Sequence, residues 1–218
     1  MRIFIILMVL ALPLLSKAQE KKIRAIIQSD AQWYLRDEIL DPSGEFYPDE
    51  KLLGQGFALF TYTDGDFEAG MRYENYQNVM LGFPNGFRGE GITYRYARVK
   101  RDNWDITVGN FYEQFGSGLI FRSYEERGLG LDNAMDGVRI LTKINGGIKI
   151  KGVIGRQRKY FTKSDGIVRG LDIEWSANEL IPILNKKGIV TSFGGSFVSK
   201  FQRGFDPILY LPENVGSY

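Results

Sequence analysis

The densest group of polar side chains in the sequence lies between residues 122 and 139. It consists of Arg122, Glu125, Glu126, Arg127, Asp132, Asp136 and Arg139. Opposed arginine and carboxylate side chains at a constriction create a local field that selects solutes. Such residues also form salt-bridged turns or lumen networks that only hold a barrel in shape, and we favour this simpler interpretation. The functional alternative is an inward-folded loop that forms such a constriction.

A second polar group is basic and contains two aromatic rings. Its members are Arg156, Arg158, Lys159 and Lys163, with Tyr160 and Phe161 interleaved. Cations beside aromatic rings suit contact with lipopolysaccharide phosphates or another anionic surface. The simpler alternative is a solvated strand end with interfacial aromatic residues.

Enzyme chemistry has few candidate residues in this chain. The sequence contains no histidine and no cysteine, which excludes Ser-His-Asp triads, thiol nucleophiles, iron–sulfur clusters and disulfides. Glu125 and Glu126 are adjacent, so on a strand their carboxylates point to opposite faces and cannot act as an acid–base pair. A calcium loop beginning at Asp132 fails because Ala134 and Lys143 occupy ligand positions. We therefore expect a protein that is not an enzyme and has no cofactor or metal.

The first 18 residues have the three-part pattern of a cleaved signal peptide. Arg2 precedes an apolar run from residue 3 to 15, and Ser16 and Ala18 supply the small residues of a cleavage site. Cleavage would leave residues 19–218 with 26 of the 28 basic residues against 26 acidic ones. A neutral exported chain without a long basic run is not expected to bind nucleic acid.

The remaining chain alternates apolar and polar residues with the period of β-strands. Residues 67–76 are the clearest case, and Asp64-Gly65-Asp66 is a natural hairpin turn before them. Similar patterns predict strands near 92–96, 104–108, 138–144, 148–151, 167–175 and 189–201. In the strand predicted near 92–96, the side chains of Ile92, Tyr94 and Tyr96 are expected to share one face. Nine or ten strands are predicted.

These strands fit either a membrane barrel or a soluble sandwich. Long strands, several charges on the second face, aromatic residues near the strand ends and glycines within the strands favour an antiparallel up-and-down transmembrane β-barrel over residues 19–218. The charges expected on that second face, opposite the apolar residues, are Glu68, Arg72 and Glu74, Lys149 and Lys151, and Asp172 and Glu174. The alternative is a secreted β-sandwich, a carbohydrate-binding module whose exposed aromatic rings stack on sugars.

Long segments of the sequence resemble a known family. They are SDAQWYLRD (29–37), GNFYEQFGSGLIFRSYEERGLGLDNAMDGVRI (109–140), GRQRKYF (155–161) and VRGLDIEW (168–175). With these segments the chain is similar to an uncharacterised family of outer-membrane β-barrel proteins from Bacteroidota. The family has no assigned activity, so the resemblance implies location and architecture only.

The same resemblance implies further strands after the present C-terminus. The ending LPENVGSY does not alternate, which is unlike the amphipathic final strand that usually closes an outer-membrane barrel. The chain is thus expected to be an N-terminal arc of a larger barrel.

These observations lead to one functional expectation. The chain is expected in the cell outer membrane, as a passive channel or a structural subunit of a surface assembly. Its expected partners are membrane lipid, lipopolysaccharide and other outer-membrane proteins.

Overall fold

Strands dominate the structure, as the alternating sequence predicts. The computed structural model describes residues 21–35, 37–39, 41–43 and 50–202, so the expected signal peptide and the non-alternating ending lie outside the described residues. The nine long strands belong to one large antiparallel sheet. No closed barrel is found within the described ranges, and none of the helices there is long and apolar enough to cross a membrane.

The chain divides into two compact units, residues 1–107 and 108–218. In the first unit, neighbouring strands pair in chain order. Their bounds are β1 Lys22–Trp33, β2 Leu52–Asp64, β3 Phe67–Asn78 and β4 Gly89–Lys100, followed by β5 Trp104–Phe111, which runs past the unit's end. The predicted hairpin is confirmed: β2 ends at Asp64, β3 begins at Phe67, and Gly65 has a φ of 58°, a left-handed conformation that favours glycine.

The second unit contains four long strands and several short elements. The long strands are β10 Met135–Ile144, β11 Ile148–Lys159, β12 Thr162–Ser176 and β13 Ser192–Phe201, which pair in this order. The short strands are β6 Glu113–Gln114, β7 Arg122–Ser123, β8 Glu125–Glu126 and β9 Leu131–Asp132. Helix α1 spans Pro182–Lys186, between β12 and β13.

A β-bulge corrects the predicted face of one strand. Arg72 pairs with Tyr94, but the next residue, Tyr73, pairs with Ile92, so Thr93 is an extra residue in β4. A bulge shifts the alternation by one residue. Tyr94 therefore lies on the same face as Arg72, whereas Ile92 lies on the opposite face with Tyr73. The expectation that Ile92, Tyr94 and Tyr96 share one face was wrong because alternation alone cannot reveal an inserted residue.

The two faces of the sheet have the reverse burial of a soluble protein. The face rich in charges is buried, as at Arg72 and Glu74 in the first unit and Lys151 and Asp172 in the second. Many apolar side chains of the other face are exposed: Phe60, Met71, Tyr73, Ile92, Ile154, Leu171, Ile173, Phe193, Phe197 and Phe201. We call these the polar face and the apolar face. Soluble sheets normally bury their apolar face. In this sheet the polar face is buried, so charged residues such as Lys151 and Asp172 need partners within the protein.

Candidate functional site

The chain between β5 and β10 folds onto the polar face of the second unit. We call residues 112–134 the covering segment; it contains the short pairs β6–β7 and β8–β9. Its Phe115 is 1% exposed and packs on Phe121, with 4.8 Å between ring centroids. These two rings belong to an apolar cluster that includes Val153 and Val168 from the sheet. The covering segment is thus attached to the sheet by a small hydrophobic core.

Gly170 makes this attachment possible. A Cβ atom at position 170 would lie 2.6 Å from Cε2 of Phe115 and 3.1 Å from Cγ2 of Val153. Atoms cannot approach so closely, so a side chain here would displace the ring. The glycine in β12 therefore provides the space into which Phe115 packs.

A network of paired charges surrounds this contact, with Lys151 at its centre. The ammonium group of Lys151 lies 3.3 Å from Oε1 of Glu113, 3.6 Å from Oδ2 of Asp172 and 3.6 Å from Oε1 of Glu174. It also donates a 2.7 Å hydrogen bond to the carbonyl oxygen of Gln114 in the covering segment. Since Lys151 is 7% exposed, these groups replace the water that it loses on burial.

Two further cations complete the network. Nε of Arg139 donates a 2.5 Å hydrogen bond to Oε2 of Glu113, and Nζ of Lys149 lies 3.1 Å from Oε2 of Glu174. Three carboxylates and three cations therefore balance each other.

Strand register explains how the sheet residues of the network meet. In the pairing of β11 with β12, Lys149 is opposite Glu174 and Lys151 is opposite Asp172. Residues directly opposite in an antiparallel pair share a face, so two lysines meet two carboxylates. The alternation assigned these four residues to charged faces correctly, but did not include them in a site. A hairpin register drawn from the turn at Tyr160 would place Lys149 opposite Asp172, because the bulge between Arg156 and Arg158 shifts the true pairing by two residues.

A second contact holds the other end of the covering segment. Asp132 forms an ion pair with Arg158 of β11 and accepts 3.0 Å hydrogen bonds from the hydroxyl of Tyr112 and the backbone N–H of Ala134. Arg158 also donates a 2.6 Å hydrogen bond to the carbonyl oxygen of Tyr160. The side chains of Asp132 and Arg158 are 5% and 3% exposed, so this ion pair is shielded from water.

The structure divides the seven residues predicted as a cluster, although Glu125 and Asp132 are opposite each other in the β8–β9 pair. Only Asp132 and Arg139 take part in the two contacts with the covering segment described above. Glu125 and Arg127 pair with each other at 3.0 Å, and Asp136 pairs with Lys163. Arg122 is exposed with its guanidinium 4.2 Å from the ring centre of Tyr124, and Glu126 is also exposed. Glu113, which the sequence analysis missed, joins Arg139 to Lys151.

The predicted basic group also divides between two environments. Arg156, Lys159 and Lys163 are exposed, whereas Arg158 is buried with Asp132. A bulge between Arg156 and Arg158 changes the register at this end of β11. Contact with lipopolysaccharide stays a prediction; of the three exposed cations, Lys163 is paired with Asp136.

The electrostatics of the network favour fixed charges over proton transfer. Burial raises the pKa of Glu113, but the hydrogen bonds from Arg139 and the Gln114 N–H, with the charges of Arg139 and Lys151, lower it below its ordinary value. Glu113 is thus ionised at neutral pH and acts as an anionic bridge. These ion pairs hold the covering segment on the sheet. The surface of the sheet beneath the segment is therefore polar.

Comparison with known proteins gives a family but no activity. A search of curated proteins finds no match. A family model of unknown function matches residues 1–218, which confirms the expected membership of an uncharacterised family, while the Bacteroidota origin and the outer-membrane location stay predictions. The chain, with its inverted faces and its covering segment, belongs to the family of unknown function DUF6029.

Proposed function

We propose that this protein is a non-enzymatic outer-membrane β-barrel protein whose polar interior is narrowed by the covering segment. The observation that carries the proposal is the inverted burial of the sheet. Asp172 is 1% exposed, whereas Phe197, near it on the neighbouring strand, is 67% exposed. A membrane barrel has this pattern because its apolar face meets lipid and its polar face meets the lumen. A β-sandwich would instead bury its apolar faces against each other.

An aromatic contact at a strand end supports the proposal. Trp175 stacks on Phe193 with 5.7 Å between centroids, and its Nε1 donates a 3.1 Å hydrogen bond to the carbonyl oxygen of Gly146 in the β10–β11 turn. An apolar ring with its N–H satisfied at the end of a strand is typical of the aromatic girdle at a membrane interface.

Two neighbouring residues of β13 provide a direct test. Ser196 and Phe197 are both exposed and adjacent, so their side chains point to opposite faces. Spin labels would be placed at Ser196→Cys and Phe197→Cys in the full chain, folded in lipid vesicles. We expect the label at 197 to be relaxed by oxygen, which concentrates in lipid, and the label at 196 by a water-soluble nickel complex.

The same test distinguishes the alternatives. Equal nickel accessibility at both positions, together with recovery of the protein from the soluble periplasmic fraction, would contradict the proposal and favour the secreted sandwich. Cell fractionation and heat-dependent mobility on a gel provide the independent check on folding.

Single-channel recording separates a passive channel from a structural subunit. The charge network and the covering segment leave a polar but narrowed interior, so any conductance should depend on the charge of Arg139, which bonds Glu113. Current steps altered by Arg139→Gln would indicate a channel with this constriction. A folded protein without current would indicate a structural subunit of a surface assembly.

A further inference from the structure

A cavity lies between the covering segment and the polar face of β12 and β13. Its volume is about 280 Å³, near the lower end of the roughly 300–1,000 Å³ typical of ligand pockets. Its lining contains both charged and apolar residues: Phe115, Ser117, Leu119, Ile120, Asp172 and Glu174, with Ser196 and three glycines. All of them belong to the second unit.

The polar lining includes a buried carboxylate, Asp172, that has one unsatisfied oxygen atom. Asp172 accepts a 2.6 Å hydrogen bond from the hydroxyl of Ser196 at Oδ1, but its Oδ2 atom receives no hydrogen bond within the described part of the chain. The nearest cation, Nζ of Lys151, is 3.6 Å from Oδ2, which is beyond hydrogen-bond distance. A buried carboxylate oxygen normally has a donor. A hydroxyl donor held in the adjoining cavity would supply the hydrogen bond that this oxygen lacks.

The charge balance around the cavity indicates a neutral ligand. Asp172 and Glu174 already face Lys149 and Lys151, and Glu113 faces Arg139. Because these carboxylates and cations already neutralise one another, an ion of either sign would gain little net attraction and would have to lose its hydration. A hydroxyl group can donate to these carboxylates without adding charge.

The other walls are apolar. Leu119 and Ile120 are exposed at the cavity, and Phe115 forms part of its floor. Carboxylates and hydroxyls on one side with apolar side chains on the other match a molecule that has hydroxyl groups at its edge and C–H groups on its face.

We propose that this cavity binds a neutral polyhydroxylated molecule of the size of one hexose. The site is independent of the protein's location, because every residue that lines it belongs to the second unit and none needs contact with lipid. A failure of the membrane proposal would therefore leave this one standing, and the reverse also holds.

Two adjacent glycines of β13 offer a matched test. A Cβ atom at Gly194 has room, since its nearest neighbours are the carbonyl oxygen of Ile173 at 3.5 Å and Cγ of Glu174 at 3.9 Å. A Cβ atom at Gly195 would point to the other face, with nothing within 4 Å. Gly194→Val should fill the cavity, and Gly195→Val should leave it open.

The experiment uses the full chain folded in detergent and titration calorimetry with three hexoses of equal size. They are glucose, anionic glucuronate and cationic glucosamine. We expect glucose to bind most tightly, and Gly194→Val to weaken its binding by at least about tenfold while Gly195→Val leaves it unchanged. Folding of each variant is verified by circular dichroism and urea unfolding, which apply whether or not the protein is a membrane barrel.

Three results would overturn the proposal. They are absence of glucose binding to the folded parent protein, equal binding by both valine variants, and preference for a charged hexose. Ser196→Ala gives a milder check, because it removes the hydroxyl that bonds Asp172 without filling the cavity. It should weaken glucose binding less than Gly194→Val does.

Discussion

The polar faces of the two units accommodate buried charge in different ways. In the first unit two pairs are local: Arg72 lies 2.6 Å from Glu74 on the same strand, and Arg98 forms a bidentate pair with Asp105 between β4 and β5. In the second unit the partners of Lys151 and Arg158 include residues of the covering segment.

The contacts in the two units have different structural requirements. Arg98 and Asp105 are seven residues apart in one hairpin, so their contact can form as soon as that hairpin folds. The contacts of Glu113 and Asp132 form only when the covering segment lies on the sheet. The second unit thus couples its buried charges to the docking of a loop, and we expect mutations there to have larger and more cooperative effects.

The largest effect is expected from breaking the Asp132–Arg158 pair. Asp132→Ala leaves the buried guanidinium of Arg158 without its carboxylate, which should lower the free energy of unfolding by about 3–5 kcal/mol. Urea unfolding in detergent micelles measures the change. A loss below about 1 kcal/mol would show that the pair is hydrated and that the covering segment is held by other contacts.

A glycine in each unit tests the packing of an aromatic ring on the polar face. Gly170→Ala should cost about 1–3 kcal/mol because Phe115 is confined by its apolar cluster. Gly70→Ala creates an equally short approach, 2.6 Å to Tyr96, but this ring is only partly buried and can rotate away. The comparison would fail if Gly70→Ala destabilised the protein more than Gly170→Ala.

Acid should loosen the covering segment through Glu113. Its folded pKa is below the ordinary 4.5 because Arg139, the Gln114 N–H and Lys151 outweigh the effect of burial. A lowered folded pKa means stabilisation that is present above pH 4.5 and is lost as the pH falls through the folded value. Unfolding at a series of pH values between 3 and 7 should show this decline, and Glu113→Gln should remove part of it.

The smallest effect is expected at an exposed pair of the first unit. Arg101 and Asp66 are 3.4 Å apart, with side chains 63% and 56% exposed. Because water screens such pairs, Asp66→Ala should change the free energy of unfolding by less than about 1 kcal/mol. A loss equal to that of Asp132→Ala would remove the distinction between exposed and covered charges on which the comparison depends.

Much of the sheet could be predicted because strand alternation is local. The charged and apolar faces of β3, β11 and β12, and the turn at Gly65, agree with the sequence analysis. The face on which Tyr94 lies could not be predicted, because the alternating pattern does not reveal that Thr93 is an inserted residue. The contribution of Glu113 was also missed, since its partners Arg139 and Lys151 are 26 and 38 residues away.

By itself, the sequence determined which residues alternate, which charges share a strand face and which chemistry is absent for want of histidine and cysteine. Those properties depend on the two-residue period of a strand and on side-chain type. Only the tertiary structure decided that the charged face is the buried one, and that residues 112–134 cover it in the second unit. The physical reason is that burial and long-range ion pairs depend on which surfaces meet, and distant surfaces meet only in the folded chain.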